Sequence, residues 1–368
     1  MAASRRQACR RAFFFFRLPQ PDPTMTAPSD ASLQARSAQL QQDEPKLRIR
    51  DRALRLGVTE AEMVAADCGL TSTALAGSAQ EIVSALGVLG PVMALSRNDF
   101  AVHERHGSYT GIEAKGPVGI VLGPDIDLRL FFGSWKYFFA VTENGRQSLQ
   151  FFDKAGLAVH KIYRTEQTDG PAWEAFVARF GAAQKPELVI EPVVAVAEPD
   201  APEDAAALRT HWLALKDTHD FFTMLRQFKV SRIGALRAAG DDLAQPVEAD
   251  AVERILSQAA ETALPIMCFV ANRGIVQIHT GPVKKLLRTG PWFNVLDENF
   301  NLHLNTEAVA SSWVVRKPTT DGWVTSLELY SASGEMIVQF FGARKPGQPE
   351  LAGWSELLQS LSPQPLAA

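Results

Sequence analysis

Two stretches of the sequence set a charged or ligating side chain beside an aromatic one, off the face that the local pattern would bury. In KDTHDFFTML (216–225) and the residues after it, helical spacing gathers Phe221, Met224, Leu225 and Phe228 into an apolar stripe suited to a core. His219, Phe222, Thr223 and Arg226 share the opposite side, with Asp217 or Thr218 as the expected cap. An imidazole three positions before a phenylalanine offers a nitrogen ligand beside an apolar surface. A flat apolar ligand with a metal at its centre would use that combination. A surface or inter-domain histidine beside a stray aromatic gives the same pattern, and spacing alone does not separate the two. In DIDLRLFF (125–132), strand alternation assigns Ile126, Leu128, Leu130 and Phe132 to one face and Asp127, Arg129 and Phe131 to the other. The second face could equally be buried, with Arg129 paired to Asp127.

Other chemistries find little support. The sequence has no Walker A loop, no GxGxxG after a strand, no GxSxG elbow and no HExxH. Of the seven histidines only His103 and His106 are close in sequence, and no ligand set surrounds them. Metal chemistry would therefore take the form of a single axial ligand to a cofactor-held metal rather than a cage. Cys9, Cys68 and Cys268 are far apart and form no CxxC, which fits a reducing compartment. A net charge of −4 gives no global pull toward nucleic acid or anionic membrane. Lys46, Arg48, Arg50, Arg52 and Arg55 precede GVTEAEMVAADCG in a stretch that could suggest a helix-turn-helix. A charged helix surface is the simpler reading in an acidic chain, so nucleic acid is not an expected partner.

These residues must be positioned by a unit written twice. GPVMALSRNDFAVHERHG (90–107) aligns with LPIMCFVANRGIVQIHTG (264–281), and SLQFFDKAGLAVHKIY (148–163) with SLELYSASGEMIVQFF (326–341). DIDLRLF lies over NFNLHLN (299–305), which puts His303 at the place of Arg129, and Trp135 answers Trp313. Each copy starts with helices: EAEMVAADCG and RIGALRAAG, with Thr59 and Ser231 as caps, then SAQEIVSALGVLG and AVERILSQAAET. Alternating strands follow, with short KAG and ASG links that suggest hairpins. The expected fold is α+β, a tandem duplication in which each half is a large antiparallel sheet flanked by helices. The expected boundaries are an N-terminal repeat at 31–185, a proline- and acid-rich linker at 186–206 and a C-terminal repeat at 207–368. Residues 1–30 read as a disordered extension, or as sequence ahead of a true start at Met25. Their AFFFF run is too short for a signal-peptide core, and no stretch is apolar enough to span a bilayer.

RNDFAVHERHGSY, DIDLRLF, DTHDFFTML, FVANRGIVQIHTG, WVVRKPTTDGWVTSLEL and QFFGAR together resemble the bacterial hemin-degrading, HemS/HmuS-type heme-utilisation family, from about residue 45 to 360. The resemblance implies two homologous halves with heme between them, against the C-terminal one. It implies His219 as the axial iron ligand and Arg129 as the distal group, a hydrogen-bond donor rather than a general base. Phe131, Phe222 and Phe269 match aromatics that contact the macrocycle. Arg232, Lys317 and Arg344 match basic groups near the propionates, and Gln339 matches a further pocket residue. Phe341 stands where the family commonly has tyrosine, so a hydroxyl is lost at that edge. His103 matches a histidine sometimes considered part of a second site. The implied activity is oxidative, iron-releasing heme cleavage in the cytoplasm, with electrons from an external reductase. The alternative is a chaperone that passes heme from an uptake transporter to a separate heme oxygenase. A heme-sensing DNA-binding regulator is a third class.

Overall fold

The structure, a computed structural model, describes residues 30–194, 198–345 and 347–367. The expectations for residues 1–29, including a start at Met25, lie outside these.

Among the described residues the N-terminal half carries nine strands. They are β1 (Ser72–Ala74), β2 (Val92–Arg97), β3 (Ala101–Gly107), β4 (Ile112–Glu113), β5 (Val118–Leu122), β6 (Asp127–Phe131), β7 (Trp135–Glu143), β8 (Arg146–Asp153) and β9 (Ala158–Arg164). The C-terminal half carries nine more. They are β10 (Ala244–Val247), β11 (Ile266–Ala271), β12 (Ile275–Gly281), β13 (Leu286–Thr289), β14 (Trp292–Leu296), β15 (Phe300–Asn305), β16 (Ser311–Thr319), β17 (Gly322–Tyr330) and β18 (Met336–Gly342). They form two nine-stranded sheets, ordered β1-β7-β8-β9-β2-β3-β15-β14-β13 and β10-β16-β17-β18-β11-β12-β6-β5-β4, with antiparallel neighbours throughout. Adding nine to a strand of one order, or subtracting it, gives the other. The duplication is thus written into the topology.

The boundary between the halves is not the boundary between the sheets. Each sheet takes six strands from one half and three from the other, so the two antiparallel sheets of the duplication share strands across the halves. The aligned segments keep their register: Arg129 pairs with Val276, and His303 with Val102. Trp135 does not answer Trp313. Trp313 pairs with Glu328, and the residue in that position of the first half is Phe139, paired with Gln150. The β16–β17 hairpin runs four residues further than β7–β8 beyond this pair, so the spacing that aligns SLQFFD with SLELYS does not hold before the turn.

The sheets pack face to face, because two apolar clusters each draw on both. One holds Leu149, Phe151 and Ile162 with Leu128, Leu130 and Ile275, and the other holds Phe300, Leu302 and Leu304 with Cys268, Val270 and Phe340. The outer faces carry helices. On the first sheet lies the turn of α2 (Ile49–Leu56) and α3 (Glu60–Ala66), preceded by α1 (Asp30–Asp43). Thr59 and Glu62 close a full capping box on α3. The stretch expected as one helix at 78–90 divides into α4 (Ala79–Ser84) and a 3-10 turn, Leu86–Leu89, and α5 (Gly170–Phe180) follows. On the second sheet lie α6 (Ala205–Leu213), α7 (Asp220–Gln227) and α8 (Arg232–Ala239). Helices α9 (Ala251–Thr262) and α10 (Ala352–Leu361) complete the inner core. The connector between the halves is held to the first sheet, where Val189 exchanges two hydrogen bonds with the Tyr137 hydroxyl, at 2.8 and 2.9 Å.

Candidate functional site

Cross-strand partners point to the same face of a sheet, so register decides which side chains share a surface. Across the second sheet, Trp313 pairs with Glu328, Glu328 with Gln339, Gln339 with Phe269, Phe269 with Ile278 and Ile278 with Asp127. Two or four residues along these strands, Lys317, Ser326, Phe341, Met267, Val276, Arg129 and Phe131 lie on that same outer face. The strand exchange therefore matters chemically: it sets Arg129 and Phe131 of the first half beside Phe269, Lys317, Gln339 and Phe341 of the second. Helices α6–α8 cover only one end of the face, over Trp313, Val315 and Tyr330. The remainder stays half-open, with Phe131 at 40% exposure and Phe269 and Phe341 edge to face at 5.0 Å.

Helix α7 forms the rim. Phe221, Met224 and Leu225 are buried as the spacing required, and Phe228 is half-buried. Phe222 is 63% exposed, and the His219 side chain 87%. His219 itself occupies the N-cap position, and Asp217 Oδ1 receives its backbone N–H at 2.8 Å. The same oxygen lies 2.6 Å from His219 Nδ1, which leaves Nε2 free. Across the face, Arg129 is paired with Asp127, as one reading of the strand allowed, but the surface around it is open. Burial pushes the Asp127 carboxyl up, and the Arg129 charge opposes that shift.

Beneath the rim, Arg232, Lys317 and Gln339 meet on Glu328, a buried partner that the sequence reading did not find. Glu328 is 0% exposed and holds Arg232 in a two-pronged pair, Nε at 2.9 Å and Nη2 at 2.6 Å. It also accepts from Lys317 Nζ, Gln339 Nε2 and Ser326 Oγ, each at 2.9 Å, and from the Tyr330 hydroxyl. Burial would push the Glu328 carboxyl up, but Arg232 and Lys317 outweigh it and hold it well below the usual range. Burial pulls Lys317 down to about 8, with Glu328 supporting its charge and Arg232 opposing it. The Phe221 ring lies under both cations, 4.8 Å from Arg232 Cζ and 4.6 Å from Lys317 Nζ. Arg232 Cζ is also 5.5 Å from the Phe222 ring, so the cluster reaches the rim. With two cations and one anion, a positive charge remains. Arg344 follows β18 near Asp217, whose carboxyl is lowered mainly by the His219 backbone N–H and slightly by the Arg344 charge. Its Nη1 is buried without a protein partner.

The equivalent face of the first sheet is a poor copy. Asn305 stands at the position of Phe131 and Leu95 at that of Phe269, so the aromatics are missing. Glu60 replaces Arg232 behind the helix cap and is paired with Lys161 and Arg97. His103 is on neither outer face. It is wholly buried between the sheets with its ring 5.0 Å from that of Phe300, so a ligand could reach it only by parting them.

Among the described residues no group of three or more His, Cys, Asp or Glu could hold a metal ion, and no helix is long and apolar enough to cross a membrane. Cys68 and Cys268 are free.

Known proteins share this sequence and this fold. The profile of the family described as "Haemin-degrading HemS.ChuX domain" matches residues 57–180 and 229–361. The chain is 42% identical over 337 residues to the hemin transport protein HemS of Yersinia enterocolitica, covering 90% of this chain and 97% of that protein. Its fold matches the heme-bound structure of PhuS, a heme-binding protein from Pseudomonas aeruginosa, with a TM-score of 0.88 and 46% identity over 91% of this chain and 99% of that one. It also matches ChuS, an Escherichia coli heme oxygenase, with a TM-score of 0.83 and 38% identity over 90% of this chain and 99% of that one.

Proposed function

The chain belongs to the haemin-degrading HemS/ChuX family, and from that premise we propose that it binds heme on the outer face of its second sheet and promotes oxidative heme degradation with release of iron. The observation that carries this reading is the convergence of both halves on one half-open apolar face, with a free imidazole nitrogen at its rim. The residues fit the ligand by chemistry as well as by shape. Phe131, Phe222, Phe269 and Phe341 offer aromatic surface to a flat macrocycle. Arg344, with an unpartnered buried N–H, and the net positive Arg232–Lys317–Glu328 cluster suit its carboxylates. His219 Nε2 would supply a nitrogen ligand to the iron.

When bound, heme supplies both the iron that activates dioxygen and the ring that is oxidised. His219 would hold the iron. Arg129, a permanently charged donor steadied by Asp127, would stabilise negative charge that develops during the oxidation. Gln339 orients the cluster through Glu328. Electrons come from an external reductase, in the reducing cytoplasm that the cysteine usage suggests. The openness of the rim, with His219 almost wholly exposed, favours a second reading in which the protein accepts heme from an uptake transporter and passes it to a separate oxygenase.

One experiment separates the readings. The protein is loaded with hemin and given ascorbate or a reductase in the presence of catalase. Loss of the Soret band with a tetrapyrrole product and free iron is the expected result. A stable complex that discharges only to an added oxygenase overturns degradation and leaves delivery. In parallel, His219→Ala is expected to change the Soret spectrum and weaken hemin binding by about tenfold or more. An unchanged spectrum and affinity would remove His219 as the ligand.

A further inference from the structure

His219 does not stand alone at the rim. One oxygen of Asp217 meets both the His219 backbone N–H, at 2.8 Å, and the ring Nδ1, at 2.6 Å. An ionised carboxylate accepts and does not donate, so the ring nitrogen facing it must carry the proton. The backbone bond fixes where the oxygen sits relative to the ring, since both partners belong to one residue at the helix N-cap. Asp217 and His219 are both largely exposed, at 58% and 87% of their side chains, so water screens the pair and it adds little to stability. A ligand lying over His219 would exclude that water and strengthen the bond.

We propose that Asp217 is a positioning residue that fixes His219 as the Nδ1–H tautomer, so that Nε2 is presented as a ready lone pair and gains basicity once it binds iron. The proposal rests on the heme reading of the site. In metal sites generally, the partner of a ligating imidazole sets its tautomer and raises its donor strength. A more basic imidazole stabilises the ferric state over the ferrous one, so Asp217 also bears on how readily the external donor reduces the iron.

The test is Asp217→Asn, which keeps an oxygen for the His219 backbone N–H while removing the charge. Nitrogen-15 NMR of the ligand-free protein reads the His219 tautomer directly. Wild type is expected to show Nδ1–H, and the Asn variant a shift toward the Nε2–H form. With hemin loaded and reduced, the variant's iron–histidine stretch is expected at lower wavenumber, its ferric/ferrous potential to be more positive and its hemin affinity to fall by about 10–100-fold. Asp217→Glu, which restores a carboxylate, is expected to recover part of each. An unchanged tautomer, stretch and potential in Asp217→Asn, even with weaker hemin binding, would reduce Asp217 to a partner of the His219 backbone N–H and overturn the proposal. Failure of the heme reading would look different: His219→Ala would leave the hemin spectrum and affinity as in wild type.

Discussion

At the scale of single residues, Glu328 holds together two buried cations beneath the candidate site. It is fully buried and joins Arg232, Lys317, Gln339, Ser326 and Tyr330, which come from α8 and three strands. Replacing a buried ion pair by apolar groups can be neutral, but removing one partner leaves the other charge uncompensated. Glu328→Gln strands two buried cations and is expected to destabilise the ligand-free protein by about 3–5 kcal/mol in urea unfolding. A loss under about 1 kcal/mol would mean that water reaches the cluster and screens it. His219, Phe222, Arg129 and Phe131 were visible in the sequence because each stands off the core face of its own element. Glu328 was not, since SLELY alternates normally and an acid on the polar face of a strand is unremarkable. Only the pairing of Glu328 with Trp313 and Gln339, and the packing of α8 above, make it a buried counter-ion.

At the scale of elements, the repeat leaves a symmetric pair of clamps where the sheets meet. Asn98, in the turn between β2 and β3, donates to Ala271 and Ile337 carbonyls at 3.1 and 2.8 Å, and accepts from the N–H groups of Phe100 and Ala101. Asn272, in the turn between β11 and β12, donates to Arg97 and Val159 carbonyls at 3.0 and 2.8 Å, and accepts from Gly274 N–H. Each asparagine shapes its own hairpin and ties it to strands of the other sheet. Asn98→Ala and Asn272→Ala are each expected to cost about 2–4 kcal/mol, through lost bonds and stranded carbonyls, as measured by denaturant midpoint. Similar losses would report equivalent roles; a loss at one site alone would show that one clamp is redundant. The segments of the repeat and their order were legible, since alternation and turn residues are local signals. The exchange of β4–β6 for β13–β15 was not, because pairing within a half and pairing across halves satisfy the same alternation. The Trp135–Trp313 match failed for a related reason: the β16–β17 hairpin is four residues longer than β7–β8, and alternation alone does not say on which side of the tryptophan the extra residues fall.

At the scale of the whole molecule, two sheets sealed face to face leave three histidines in a dry interior, away from the candidate site. His103, His160 and His279 are all buried; His279 stacks on Phe300 at 3.7 Å, and His160 is bonded to Ser96 and Tyr109. Burial is the leading cause that pulls His160 and His279 down to about 3, and it takes His103 well below its ordinary value. In the unfolded chain each returns to roughly 6.5. Between those values the unfolded state binds protons that the folded state refuses, so stability falls as pH falls from about 6.5 toward 3. At pH 5 the loss reaches about 2 kcal/mol per histidine as an upper bound. Glu60, held near 2 by Lys161 and Arg97 against the opposing effect of burial, adds a loss only below the ordinary carboxylate range. Asp127 and Glu350, raised mainly by burial, act in the opposite sense. Unfolding free energy measured in urea is therefore expected to be flat from pH 8 to 7 and to fall steeply from 6.5 to 4.5, before most carboxylates titrate. His279→Phe keeps an aromatic ring beside Phe300 and removes one titrating group. It is expected to reduce the slope in that window by up to about 1.4 kcal/mol per pH unit. An unchanged slope would place the acid sensitivity in the carboxylates and mean that water and protons already reach the space between the sheets.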